Sequence, residues 1–325
     1  MLRSLQKSKY ICNDLFMREL DFFSKISFFG HQSEFNKHRI IPKTMGKHSV
    51  LLTKNQAFHN TCPHRGTILL EKPSPRKLIV CPYHSWSFTL DGNSKKAPID
   101  TCLTPIPIES KHGFQMAGQT DKWSNAWKDI GQMDWENMLT VRNGTWDAQA
   151  NWKLLIENFL EWYHLPSIHP TLTTVSGPND HVYGDTDEWT IGFKTEPLTD
   201  AGTVADPSFK PHIPGAHPKT GWFHYLFPNM FWFVFPTHAF VLTMNPITPT
   251  RTVENATLLV HPHSKWSEEE LNELWSFYET VNTEDVDICE RVQRGILSEA
   301  FQQGWIEPKT EKNIITFHNQ LKYHF

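Results

Sequence analysis

The 325-residue sequence predicts an α+β protein of two domains, a small β-rich domain followed by a larger one in which a sheet carries helices. Three observations predict this class. The length leaves room for two hydrophobic cores at about 150 residues each. From about Lys37 to Phe114, short β-type runs are broken by turn signals. Beyond residue 150, apolar residues recur at spacings of three and four in separate stretches, with strand patterning between them.

Residues 1–26 read as a short helical lead-in, with Leu15, Phe16, Leu20, Phe22 and Phe23 as its apolar residues, expected to pack on the second domain. The first domain is expected over residues 27–144. Its strands are read at Ser49–Thr53, Gln56–His59, Lys77–Val80 and Trp86–Leu90, the last ending in Asp91-Gly92. Residues 120–150 are polar and Trp-rich and show no clear period. The second domain is expected over 145–325. It opens with an amphipathic helix from Asn151 to His164, in which Trp152, Leu155, Ile156, Phe159, Leu160 and Tyr163 share a face and which Pro166 ends. Residues 220–262 read as antiparallel strands separated at Pro228-Asn229, Pro236-Thr237 and Pro246–Pro249. Alternation sends Phe231, Phe233 and Phe235 to one face and Trp232 to the other. Ser267 with Glu270 makes a capping-box start for helical patterning that runs to about Phe301, with a break near Thr283.

Composition excludes several classes. With 39% apolar and 20% charged residues the chain is an ordinary globular one. A net charge of −4 gives no reason to expect nucleic acid or an anionic membrane as partner. The N-terminus lacks the apolar run of a signal peptide, and the most apolar run, Met230–Phe235, is far short of the ~20 residues a membrane span needs. A cytoplasmic location is expected. Five cysteines, an odd and sparse number, argue against a disulfide framework.

Two constellations carry chemistry. The first is Cys62-Pro63-His64-Arg65-Gly66, followed by Cys81-Pro82-Tyr83-His84. Two thiolates can hold one iron and two imidazoles the other, the arrangement of a Rieske [2Fe–2S] cluster. In a chain with this many Cys and His the pattern would arise by chance about once in a few hundred. A structural zinc is the rival metal, but zinc fingers pair Cys with Cys and His with His, whereas here the two alternate.

The second constellation lies on the helix from Asn151. Spacings of four and three put Glu157, Glu161 and His164 on one face, and His169 follows five residues after His164. Two histidines and one carboxylate can hold a mononuclear iron with positions left for O₂. The carboxylate is sought in Asn282–Glu290, with Asp285 the first choice and Asp287 and Glu284 the others.

Together these segments resemble the terminal oxygenase α subunit of Rieske non-heme iron oxygenases, over about residues 25–320. The matching motifs are Cys-Pro-His-Arg-Gly at 62–66, Cys-Pro-Tyr-His-x-Trp at 81–86 and Asn151-Trp152-Lys153 with Glu157-Asn158. Further along stand Glu161-x-Tyr163-His164 with His169-Pro170, and Glu284-Asp285 with Cys289-Glu290 and Gln293-Arg294-Gly295. The resemblance implies a β-rich Rieske domain and a helix-grip-like catalytic domain. It places Cys62, His64, Cys81 and His84 on the cluster, and His164, His169 and Asp285 on the iron. Asn158 and Glu161 become catalytic residues, with Glu161 linking His164 to a cluster histidine, His84, of a neighbouring subunit in a homotrimer. Most members have Asp at that place. Glu, like the segment from Asp285 to Gly295, resembles the branch that acts on quaternary ammonium compounds such as carnitine and choline. Ser85 stands where the family usually has Gly.

No G-x-G-x-x-G occurs in the chain. Electrons are therefore expected from a separate NAD(P)H-dependent reductase, directly or through a ferredoxin. The implied reaction uses O₂, two electrons and two protons to hydroxylate a small substrate. On an N-methyl group this gives an unstable hemiaminal and C–N cleavage. An aromatic or alicyclic substrate is the alternative.

Overall fold

Alternating aromatic residues between Trp222 and Phe235 build the middle of a seven-stranded antiparallel sheet. In the computed structural model, which describes residues 2–173, 179–196 and 210–325, its strand order is Leu139–Ala148, Arg251–Val260, His238–Thr248, Met230–Val234, Gly221–Leu226, Thr190–Thr195, His181–Thr186. The register pairs Phe223 with Phe233 and Phe233 with Phe240, which puts these rings on one face with Phe231. Trp232 turns to the other face, where it lies against Trp127 and Trp135 and donates to His224 Nδ1 at 3.0 Å. The alternation expected at Phe231–Phe235 is thus the one observed.

The first face is covered by the long helix Glu268–Ile296, whose Tyr278 ring stacks on Phe240 at 4.3 Å. Ser267 caps this helix through the capping box with Glu270. The helix is continuous through Thr283, where a break was expected. The Thr283 hydroxyl returns to the carbonyl of Glu279 and accepts from Trp146 Nε1, so a β-branched polar residue is satisfied without disturbing the helix. The helix expected over Asn151–His164 is shorter. It runs Trp152–Phe159, with Asn151 as N-cap, and Pro166 opens the next short helix, Leu165–Ile168, instead of ending this one. Proline is well suited to a first turn because its missing N–H has no partner there in any case.

Chain contacts divide the molecule into two units, residues 20–120 and, as the second, Met1–Glu19 with Asp121–Phe325. The division expected at 144/145 falls inside the strand Leu139–Ala148. That strand pairs with Arg251–Val260, a hundred residues later, which a local pattern does not reveal. The lead-in is not all helix either. Leu2–Gln6 is a strand paired antiparallel with Gln303–Ile306, and the helices Ser8–Ile11 and Asn13–Phe23 follow it. In the unit of residues 20–120, Ile41–Met45, His48–Leu52, Ala57–His59 and Pro105–Ile106 form one sheet, and Ile79–Val80, Ser87–Phe88 and Ser94–Lys96 another. Leu51, Phe58, Leu69, Ile79 and Phe88 pack in its core together with Cys62 and Cys81.

The lead-in is fixed to the helix Trp152–Phe159 by a fully buried ion pair. Lys153 Nζ donates to both carboxylate oxygens of Glu19, at 2.7 and 2.9 Å, and Trp152 Nε1 donates to Glu19 Oε2 at 2.8 Å. Burial pushes the Lys153 pKa below its ordinary value, against the pull of Glu19. Breaking such a pair strands a charge away from water. Lys153→Met is expected to destabilise the protein by about 3–5 kcal/mol in denaturant unfolding. Adding Glu19→Gln, which keeps an acceptor for Trp152, should recover more than half of that loss. No recovery in the double variant would show that the cost lies in packing and not in the stranded charge.

Candidate active site and cluster site

Two loops of closely similar backbone carry the first constellation. In one, the N–H of Gly66 returns to the carbonyl of Cys62 at 2.9 Å, and the N–H of Cys62 to that of Thr67 at 2.8 Å. In the other, Ser85 returns to Cys81 at 3.1 Å and Cys81 to Trp86 at 2.8 Å. Each loop closes on a residue of positive φ, 72° at Gly66 and 60° at Ser85. Such a φ favours glycine, which Gly66 supplies, and Ser85 carries roughly 1 kcal/mol of backbone strain there. Asn60 anchors the first loop: its carbonyl oxygen accepts from the N–H groups of Leu69 and Leu70, and its amide donates to Ser49 and Leu70.

The loops bury both thiols and expose both imidazoles. His64 and His84 face each other with their Nδ1 atoms 3.1 Å apart, and Trp86 stacks on His64 at 4.5 Å. Burial opposes ionisation of Cys81, but the backbone N–H groups of Tyr83 and His84 pull its pKa below the ordinary value. Desolvation, with His64 and Arg65 nearby, lowers that of His84, toward the neutral form a metal takes. Two thiols and two neutral imidazoles on converging loop tips fit a Cys₂His₂ iron–sulfur cluster.

The second constellation converges from two helices. His164 precedes the short helix Leu165–Ile168, His169 caps its end, and Asp285 comes from the long helix. One ligand atom from each of His164, His169 and Asp285 lies within 4.8 Å of the others, a donor set that fits one iron. Asp285 Oδ1 is 3.5 Å from His164 Nε2 and 2.8 Å from His169 Nε2. The opposite edges of the rings are engaged as well. His164 Nδ1 is hydrogen-bonded to Glu161, which also accepts from the backbone of His164 and Tyr163. His169 Nδ1 meets Glu284 at 2.7 Å. Although burial disfavours a charged His169 ring, its hydrogen bonds to the flanking carboxylates of Asp285 and Glu284 raise its pKa.

Of the three carboxylates considered in the long helix, Asp285 alone faces both Nε2 atoms. Asp287 is exposed to solvent, and Glu284 stands on the Nδ1 side of His169. Glu157 does not share a face with Glu161 and His164, because the helix ends at Phe159 between them. It binds Tyr10 and His318 instead, at 2.8 Å each. Asn158, half-buried in the last turn, makes no side-chain hydrogen bond among the described residues. The sequence reading missed two features. One is the role of Glu284 beside His169; adjacent carboxylates on a helix point ~100° apart, so a pair of them can reach both edges of one imidazole. The other is Glu254, buried and hydrogen-bonded to Asn282, with a pKa pushed up by burial to about 7.

The sequence profile of the ring hydroxylating alpha subunit (catalytic domain) family matches residues 125–325, and that of the Rieske [2Fe-2S] domain matches residues 26–107. The chain is 27% identical to the carnitine monooxygenase oxygenase subunit of Acinetobacter baumannii, over 84% of this chain and 76% of the relative. It is 28% identical to the glycine betaine monooxygenase oxygenase subunit of Pseudomonas aeruginosa, over 86% and 79%. A crystal structure of the quaternary ammonium Rieske monooxygenase CntA superposes with a TM-score of 0.83 at 21% identity, over 99% of this chain and 96% of that one, a likeness of fold. Among the described residues, no helix is long and apolar enough to cross a membrane. The profile match spans well over half of the chain, which therefore belongs to the ring-hydroxylating alpha-subunit family and is a Rieske oxygenase using a [2Fe–2S] cluster and a mononuclear non-heme iron.

Proposed function

We propose that this protein is the terminal oxygenase of a monooxygenase system for a small quaternary or tertiary amine, leading to N-demethylation or C–N cleavage. The observation that carries the oxygenase reading is the convergence of His164, His169 and Asp285 within 4.8 Å. The relatives' activities on carnitine and glycine betaine support the substrate class. So does the aromatic face of the sheet: Phe233 and Phe235 stay partly exposed on it, beside Phe223. A trimethylammonium group is drawn to such ring faces without an acidic partner.

Cys62, His64, Cys81 and His84 are the proposed cluster ligands, and His164, His169 and Asp285 the proposed iron ligands. When bound, the cluster supplies single electrons and the iron supplies the site at which O₂ is activated. Glu161 keeps the Nδ1 edge of His164 engaged, which leaves Nε2 free to ligate. On the family pattern the chain forms a homotrimer in the cytoplasm, in which Glu161 also reaches His84 of a neighbouring subunit. A separate NAD(P)H-dependent reductase delivers the electrons, directly or through a ferredoxin. Asn158 is retained as a catalytic residue on the family motif alone.

Metal analysis of the purified protein is expected to give about three irons per chain. His164→Ala should bring that to about two, abolish turnover and leave the visible spectrum of the cluster intact; loss of the cluster spectrum would contradict the division into two sites. Against a panel of betaines, cholines and aromatic compounds, spectroscopic change at the iron should be confined to the ammonium compounds. Phe233→Leu should weaken their binding by about 3- to 30-fold. A response confined to aromatics would establish a ring-hydroxylating or demethylating oxygenase in its place.

A further inference from the structure

His169 is 1% exposed and lies between two acids from consecutive positions of one helix, with Asp285 at 2.8 Å from Nε2 and Glu284 at 2.7 Å from Nδ1. A neutral imidazole has one N–H and one lone pair. If the proton sits on Nε2, that nitrogen donates to Asp285 and is lost as a ligand. If it sits on Nδ1, Nε2 and Asp285 are both free to ligate. The second arrangement needs an acceptor for a buried Nδ1–H, and Glu284 Oε2 at 2.7 Å is the one that meets it. Left without a partner, such a donor costs about 1–3 kcal/mol.

We infer that Glu284 is the positioning residue that selects the Nε2-ligating form of His169, as Glu161 does for His164. The inference rests on the reading of His164, His169 and Asp285 as iron ligands. The two carboxylates differ in setting: the Glu161 side chain is 10% exposed and that of Glu284 is 40% exposed. Glu284 reaches His169 from the wall of a groove of about 530 Å³, lined also by Thr171, Leu172, Phe277, Thr280 and Val281. Truncating it therefore leaves no hole in the core, and the variants should fold.

The test uses full-length protein with its cluster in place, stripped of mononuclear metal by chelation and titrated with Co(II). Glu284→Ala should bind Co(II) about 10- to 100-fold more weakly than the parent. Its ligand-field spectrum at saturation should match the parent's, because no ligand has been removed. Glu284→Gln retains a carbonyl acceptor for Nδ1–H and should stay within a few-fold of the parent. Asp285→Ala should change the spectrum itself. Parental affinity in Glu284→Ala would overturn the positioning role. So would a Glu284→Gln as weak as the alanine variant. A Glu284→Ala spectrum like that of Asp285→Ala would make Glu284 a ligand and overturn the inference by another route. Failure of the parent to bind Co(II) would instead overturn the reading of the three-residue metal site.

Discussion

The site depends on one helix staying unbroken from Glu268 to Ile296. Its inward row runs Tyr278, Asn282, Asp285, Cys289, at spacings of four, three and four. Each of the first three meets a polar partner from another element: Tyr278 meets His238 at 2.7 Å, Asn282 meets Glu254 at 2.9 Å, and Asp285 meets His169 at 2.8 Å. A kink at Thr283 would turn Asp285 relative to Tyr278 and put the two ends of the row out of register with the sheet. The capping box at Ser267 fixes where the helix begins, and the Thr283 hydroxyl is satisfied by the Glu279 carbonyl and the Trp146 indole with the helix continuous through it.

Acids close to the proposed iron ligands are kept apart by assignment of partners. Asp285 takes the Nε2 edges, Glu161 and Glu284 take the Nδ1 edges, and Glu157 is tied to Tyr10 and His318. Glu254, the most deeply buried of them, holds its proton to about pH 7, because burial outweighs its one hydrogen bond to Asn282. Each of these carboxylates is thus hydrogen-bonded, as a polar group in a low-dielectric interior must be.

What could be read from the sequence was what is local. The loops at Cys62 and Cys81, the capping box at Ser267 and the facing of Phe231, Phe233 and Phe235 all follow from spacing within about ten residues. The end of the helix at Phe159 was not legible, because Leu160 and Tyr163 continue the apolar period beyond the point where the backbone turns to place His164. The strand Leu2–Gln6 was hidden for another reason. Five residues carry no period of their own, and their partner lies three hundred residues away. The assignment of Glu284 to Nδ1 of His169 needed coordinates, since sequence spacing puts both acids near the ring without saying which edge each meets.

The unit of residues 20–120 interrupts the chain of the other unit, and this has a consequence for synthesis. Residues 20–120 have their own core and can fold as soon as they emerge from the ribosome. The nineteen residues before them cannot: the partner of Glu19 is Lys153, and Leu2–Gln6 pairs with Gln303–Ile306. At ~5–20 residues per second, the first strand waits roughly 15–60 s for its partner to be made. Through that interval Leu2–Gln6 stays unpaired, and the catalytic unit cannot be completed before Gln303–Ile306 has been made.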